Sequence, residues 1–372
     1  MGPSETEAEK TMWLAFKRVA PFGFLAAVPL ALIVLGSVAA VHHHDVGVDF
    51  RGELYPEAKL VVHGTNPFPP PGADLSSGVN RIFPIPAAIL VAPLTLLPVG
   101  AAAAVFCVLL LVALAGAIRL LGVTDWRVYG LVALWPPAIH AVQTGNVTIL
   151  LTLLVAVAWR FRERRLVPGV AIGVAIALKL FLWPLVLWLV ARRRYASAGT
   201  AAAIAIGGML LVAPFTSLTA YWRLLGDLGD VFGPHSYNLT GLLVQTGVAG
   251  SGAAQFLADA AGIGVLALAY RRRSLTLAIA ASLVLSPIVW LHYFVLLVVP
   301  LALARPRLSA LWFAPLALWV CPGTAGQVRA WHIAIGLAVL AVVTVLAERR
   351  AGANETRPVS PPEPARTVPA CP

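Results

Sequence analysis

What most constrains this chain is the spacing of its charge: Lys and Arg come in tight clusters, and between the clusters lie apolar stretches that carry almost none. The clusters are Lys17/Arg18, Arg119/Arg127, Arg160 to Arg165, Arg192 to Arg194, Arg271 to Arg273, Arg305/Arg307 and Arg349/Arg350. The clearest apolar runs cover residues 21–41, 101–121, 199–214, 253–270 and 331–346, with shorter ones between them. A water-soluble core cannot absorb this much. Of 372 residues, 59% are apolar and 12% charged, against roughly 45–50% and about 25% in a soluble domain. The expected fold is therefore an all-α integral membrane bundle, because a helix satisfies its own backbone hydrogen bonds inside lipid. The net charge of +11 reads as loop charge rather than a nucleic-acid surface. Cys107, Cys321 and Cys371 form neither a C-x-x-C pair nor an even set, so neither a disulfide framework nor a structural zinc site is expected.

Cytoplasmic loops carry the excess of Lys and Arg, so all the basic clusters are expected on that side, and an even number of crossings must separate neighbouring clusters. Residues 128–159 then form a hairpin turning at Gln143-Thr144-Gly145-Asn146, and 166–191 a hairpin of two short helices meeting near Lys179. The loops around 216–247, 290–293 and 321–329 fall outside. Segment 83–98, with four prolines, has no crossing left to make and is expected to dip in from the outer face as a broken, protein-buried helix. The count is about 12 crossings with both termini cytoplasmic. Residues 1–20 form a cytoplasmic N-terminus, 21–348 the membrane domain, and 349–372 a disordered tail rich in Pro, Thr and Glu. The run at 21–41 is too long for a cleaved signal and is expected to stay as an anchor.

The outer connection 42–81 concentrates polar groups: His42, His43, His44, Asp45, Asp49, Arg51, Glu53, Glu57, Lys59 and His63. A solvated loop without chemistry would explain them. Leu54, Ala58, Leu60 and Val61, however, interleave at near-helical spacing, which predicts an amphipathic helix holding Asp49 at the mouth of a cavity. Consecutive histidines diverge in either helix or strand, so His42, His43 and His44 do not build one tetrahedral site, and no metal is expected. Lys179 interrupts the apolar run 170–190. An ionisable group there is a functional candidate by default, against the plain alternative of a lysine snorkelling to the interface. As a point charge it could meet a phosphate. In Ser286-Pro287-Ile288-Val289-Trp290-Leu291-His292-Tyr293, the Trp and Tyr suit interfacial anchors, whereas His292 could bond a phosphate or orient a carboxylate.

Taken in order, Val48-Asp49-Phe50, Gly64-Thr65-Asn66-Pro67-Phe68, Phe83-Pro84-Ile85-Pro86, Gly145-Asn146-Val147-Thr148, Ala177-Leu178-Lys179-Leu180 with Pro184, Tyr237-Asn238-Leu239, and Ser286-Pro287 with Trp290 and His292 form a pattern. It resembles the polyprenyl-phosphate-dependent glycosyltransferases of the GT-C superfamily, specifically glycosyltransferase family eighty-seven, which includes mannosyltransferases of phosphatidylinositol mannoside and lipomannan synthesis. The likeness covers about 21–346. Two motifs depart from the family: Gly145-Asn146 stands where Gly-Gln is frequent, and Tyr293 follows His292 where paired histidines are common.

The resemblance implies transfer of a hexose, mannose first, from a polyprenyl-phosphate-sugar donor to a lipid-linked or glycan acceptor. The site would face outward from a bacterial cytoplasmic membrane. It implies Asp49 as general base in an inverting displacement, with Lys179, His292 and Arg51 on the donor phosphate. Asp45, Asn146, Asn238 and Trp290 are supporting candidates, and no cofactor is expected. Two other readings stand beside it. One is an arabinosyl or other pentosyl transferase using the same carrier; the other is a transporter or lipid flippase, which would favour internal repeats that this chain does not display.

Overall fold

The computed structural model describes residues 47–77 and 81–355. The expected span at 21–41, the histidines His42, His43 and His44, Asp45 and the end of the tail lie outside the described residues.

Among the described residues the chain is helical and contains no strand. A π turn, Phe50–Leu54, leads into α1, Tyr55–Val62. Then follow α2 (Ile85–Val91), α3 (Val99–Leu120), α4 (Trp126–Ala133), α5 (Pro136–Thr144), α6 (Thr148–Arg160), α7 (Val167–Leu178), α8 (Pro184–Ala191) and α9 (Tyr195–Leu210). The remainder is α10 (Leu218–Phe232), α11 (Leu239–Gln245), α12 (Ser251–Arg272), α13 (Leu275–Val284), α14 (Val298–Ala304) and α15 (Ala330–Glu355). The last helix runs beyond 348, where the tail is expected to start.

Among the described residues three stretches are long and apolar enough to cross a membrane: Val99–Leu120, Ser251–Arg272 and Ala330–Arg350. The 22 residues of α3 span about 33 Å at 1.5 Å per residue, enough for a hydrocarbon layer of about 30 Å. The pair α5 and α6 qualifies as a fourth if taken together, although it bends by 117° at the break. The remaining apolar helices are shorter, so among the described residues length and composition alone support three or four membrane-capable helices.

The breaks fall where the sequence predicts them. Pro84 and Pro86 open α2, and Pro93 follows it in a 3-10 turn, Ala92–Leu96. Ile85–Leu96 therefore reaches only about 18 Å and cannot cross. Helix α7 ends at Leu178, Lys179 is fully extended (φ −162°, ψ 111°), and a 3-10 turn, Leu180–Leu182, leads into α8. Small residues explain why α7 and α9 pack closely. A Cβ on Gly173 would sit 2.8 Å from Ile204 Cβ, and one on Gly208 would sit 2.8 Å from Ala177 Cβ. Side chains this small let membrane helices approach until their backbones nearly touch.

Loops expected on one side bond to one another. Arg194 pairs with Glu163, and Ser197 Oγ donates to the Arg165 carbonyl at 2.6 Å, joining two basic loops. Asp125 accepts from Leu308 N at 3.1 Å, joining two more, and Ser274 Oγ donates to Glu348. Asp125 also holds Arg127 at 2.8 Å, and that guanidinium keeps the carboxyl down at about 2. At the other loops, Tyr237 N donates to Val289 O at 2.7 Å and Tyr237 Oη to Pro322 O at 2.6 Å. Segments 216–247, 286–293 and 321–329 thus meet.

Candidate active site

Asp49 owes its position to a turn far along the chain. Helix α5 ends at Gly145, whose left-handed backbone (φ 68°) reverses direction before α6. A Cβ there would lie 2.7 Å from Phe50 Cβ, so the Asp49 helix packs directly onto the turn. Gly47 N donates to Gln143 O at 2.6 Å and pins the same junction. Asp49 precedes the π turn, and Phe50, Leu54, Glu57 and Ala58 face the core along one helical stripe. Phe50 stacks on Phe106 of α3 at 4.8 Å. The amphipathic helix expected over this region is present, with Asp49 at its start.

Asn146 bridges Asp49 and Lys179. Its Nδ2 donates to Asp49 Oδ2 at 2.8 Å. Its Oδ1 accepts from Thr148 Oγ1 at 2.7 Å, Thr148 N at 3.2 Å and Lys179 Nζ at 3.3 Å. Three donors converging on one oxygen fix the amide orientation, because a flipped amide would face them with its own N–H groups. Burial raises the Asp49 carboxyl above its ordinary range; the Asn146 hydrogen bond, the Lys179 charge and Thr144 pull it back in part. The Lys179 ammonium lies 4.1 Å from the Tyr293 ring centroid and 5.9 Å from that of Phe83, in cation–π contact.

His292 is buried on the 3-10 turn Leu291–Leu297. Its ring lies nearly parallel to that of His140 from α5, with centroids 5.3 Å apart and planes at 11°. The two Nδ1 atoms are 3.2 Å apart, and His292 Nε2 is buried without a hydrogen-bond partner. Arg51 extends toward the start of α3, where a Cβ on Gly100 would come within 3.3 Å of its Nη2. Asn238 works as scaffold: its side chain caps α11 by accepting from Gly241 N at 2.7 Å and donates to Pro287 O. Trp290 meets Phe232 edge-on at 5.7 Å.

Two residues escape sequence reasoning about roles. His140 is a single histidine on an apolar helix, and nothing local marks it. Glu57 appears only among many loop charges, yet it is wholly buried. One oxygen accepts Phe83 N at 3.2 Å and the other has no partner, and burial raises the group well above its usual range. A helical count from Phe50 would have flagged Glu57, which falls on the stripe of Leu54 and Ala58.

Two hollows lie elsewhere among the described residues, and neither is lined by Asp49, Asn146, Lys179 or His292. A cavity of about 360 Å³ lies between the 66–75 loop and α10, lined by Phe68, Tyr221, Arg223 and Asp227 among others. An apolar groove of about 350 Å³ runs between α2, α7 and α9, lined by Pro86, Ile89, Leu90, Val174, Leu178 and Ile204 among others. The groove reaches Leu178, the residue before Lys179.

Fold and site together define a helical membrane protein that brings a carboxylate, an amide and an ammonium to one point. The sequence model of glycosyltransferase family 87 matches residues 82–300, more than half of the chain. The chain belongs to glycosyltransferase family 87 and is a glycosyltransferase. The matched segment holds Asn146, Lys179, Asn238, Trp290 and His292, while Asp49 and Arg51 precede it. No curated protein and no solved structure matches the chain.

Proposed function

We propose that the protein transfers a hexose, mannose first, from a polyprenyl-phosphate-sugar to a lipid-linked or glycan acceptor, with Asp49 as general base. In this reading the chain crosses a bacterial cytoplasmic membrane about twelve times and the Asp49 end faces outward. The observation that carries it is the Asp49–Asn146–Lys179 relay, one residue along the chain from Leu178, which lines an apolar groove. A prenyl chain suits the groove, and a phosphate suits the Lys179 ammonium.

The chemistry then follows from the groups present. The acceptor hydroxyl gives its proton to Asp49 while its oxygen attacks the anomeric carbon. The bond from that carbon to the phosphate oxygen breaks, and polyprenyl phosphate leaves with the electron pair. Lys179 stabilises the departing charge, with Arg51 as a second cation. A single displacement inverts the anomeric centre. Burial supports the base role, since a carboxyl raised above its usual range holds a proton better once it has accepted one.

Purified protein in nanodiscs, given radiolabelled polyprenyl-phosphate mannose and phosphatidylinositol mannoside, should transfer the label. Asp49→Asn should lower the rate by about 10²–10⁴-fold with an unchanged melting temperature. Full activity in that variant refutes the base assignment. Transfer only from polyprenyl-phosphate arabinose refutes the hexose.

A further inference from the structure

The hollow between the 66–75 loop and α10 is walled by a loop whose shape its own sequence fixes. Ala73 N donates to Pro70 O at 3.1 Å, with Pro71 and Gly72 between them and Gly72 at the positive φ (80°) that a type II turn requires. Asn66 Oδ1 accepts from Phe68 N at 3.0 Å, and Asp74 accepts from Ser76 N at 2.8 Å and Ser76 Oγ at 2.6 Å, so side chains close both ends of the loop. Phe68 meets the Tyr221 ring of α10 at 4.9 Å, and a small core shared with Ile85 and Val212 ties loop to helix. A cavity built this way needs little ordering when a ligand enters.

Its lining combines an apolar wall with a few polar groups around about 360 Å³, the make-up of a small-molecule site. Phe68, Val231 and the rings of Pro69, Pro70 and Pro71 supply the wall. Arg223 and Asp227 stand one helical turn apart and exposed, yet among the described residues neither forms an ion pair. With Asp74 the lining carries two carboxylates against one guanidinium, so a phosphate headgroup would meet an excess of like charge. A hydroxyl suits both charged groups, because it can donate one hydrogen bond and accept two. It donates to Asp227 and accepts from Arg223. A sugar ring presents such hydroxyls along its edge and a C–H face to the proline and Phe68 wall.

The cavity also has a place relative to the candidate active site. The Phe83 ring centroid lies 5.9 Å from Lys179 Nζ, and Ile85, two residues on, packs with Phe68 and Tyr221. Two residues are no more than about 7 Å of chain, so one short proline-bearing segment connects the cavity wall to the Lys179 side. A ring held in the cavity is not the one that reacts, since Asp49, Asn146 and Lys179 are not among its lining residues. We propose that this cavity is a subsite for an uncharged hexose of a glycan acceptor, held by Arg223 and Asp227 while another hydroxyl of the same acceptor reaches Asp49. The part it plays in transfer rests on the glycosyl-transfer reading; the binding of an uncharged sugar does not.

The test titrates the full chain in nanodiscs, without donor, with mannotriose and follows binding by saturation-transfer NMR. The parent should bind the sugar, and inorganic phosphate should not displace it. Arg223→Ala and Asp227→Ala change exposed positions of α10. Each should keep the parent's melting temperature and weaken binding about 10-fold, the loss of one hydrogen bond to a charged group. Asp230→Ala, on the same helix but outside the cavity lining, should bind as the parent does. With labelled polyprenyl-phosphate mannose and a mannosylated lipid acceptor, the two cavity variants should raise the acceptor KM by the same factor and leave the donor KM in place. A parent that does not bind mannotriose overturns the proposal, as does parental binding in both cavity variants. Displacement of the sugar by phosphate, strengthened in Asp227→Ala, also overturns it and assigns the cavity to an anionic headgroup. If the sugar binds as expected but no mannose is transferred, the proposed function fails and the sugar site stands. If transfer proceeds with the parental acceptor KM in both variants, the subsite fails and the proposed function stands.

Discussion

Removing the Asn146 side chain separates Asp49, the proposed base, from its supports with a small change in volume. In Asn146→Ala, Asp49 loses the donor at 2.8 Å and Lys179 loses the acceptor at 3.3 Å. A hydrogen bond to an ionised acceptor contributes about 1.5–3 kcal/mol. Asn146 is the largest of the influences holding the Asp49 carboxyl down against burial. Its loss therefore pushes the group further up and reduces the ratio of ionised to protonated Asp49 about 10- to 150-fold at fixed pH. If Asp49 is the base it must be ionised to act, so the acid limb of kcat/KM moves to higher pH. The variant should be most impaired in acid and recover part of its rate in alkali. The assay is release of labelled product from polyprenyl-phosphate mannose across pH, with melting temperature recorded at each point. A variant whose rate falls equally at every pH, with its acid limb where the parent has it, refutes the coupling of Asn146 to Asp49.

Gly145→Ala must adopt a left-handed backbone, costing about 1–2 kcal/mol, and must push Phe50 away from a 2.7 Å contact, costing about 1–3 kcal/mol more. The melting temperature in detergent should fall by several degrees; an unchanged value would show that the 145–147 turn does not hold the Asp49 helix. Glu57 holds its proton in the fold at pH values where an exposed carboxyl has lost it, so folding stability should decline as pH rises from the ordinary value of 4.5 toward the raised one. Glu57→Gln keeps an acceptor for Phe83 N and should flatten that dependence, measured as melting temperature against pH; a slope equal to the parent's would assign it to another group.

The parts of this protein that show in its sequence are those governed by neighbours along the chain. Apolar length marks α3, α12 and α15, prolines mark the break at 83–98, and a charged residue amid apolar ones marks the joint at Lys179. The amphipathic spacing of Leu54 and Ala58 likewise places Asp49 at a helix start. The 117° bend between α5 and α6 is not visible in this way, because Gly145 permits a reversal without setting its angle; contact with Phe50 and Gly47 sets it. The site has the same division. Asp49, Lys179 and His292 stand out because ionisable groups in an apolar setting are costly and call for a reason. What Asn146 and His140 do depends on residues 97 and 152 positions away, and no local pattern encodes that separation. This bears on the chemistry as well as on prediction. Read alone, His292 is one more ionisable group; in the fold it lies against His140, with the two Nδ1 atoms 3.2 Å apart.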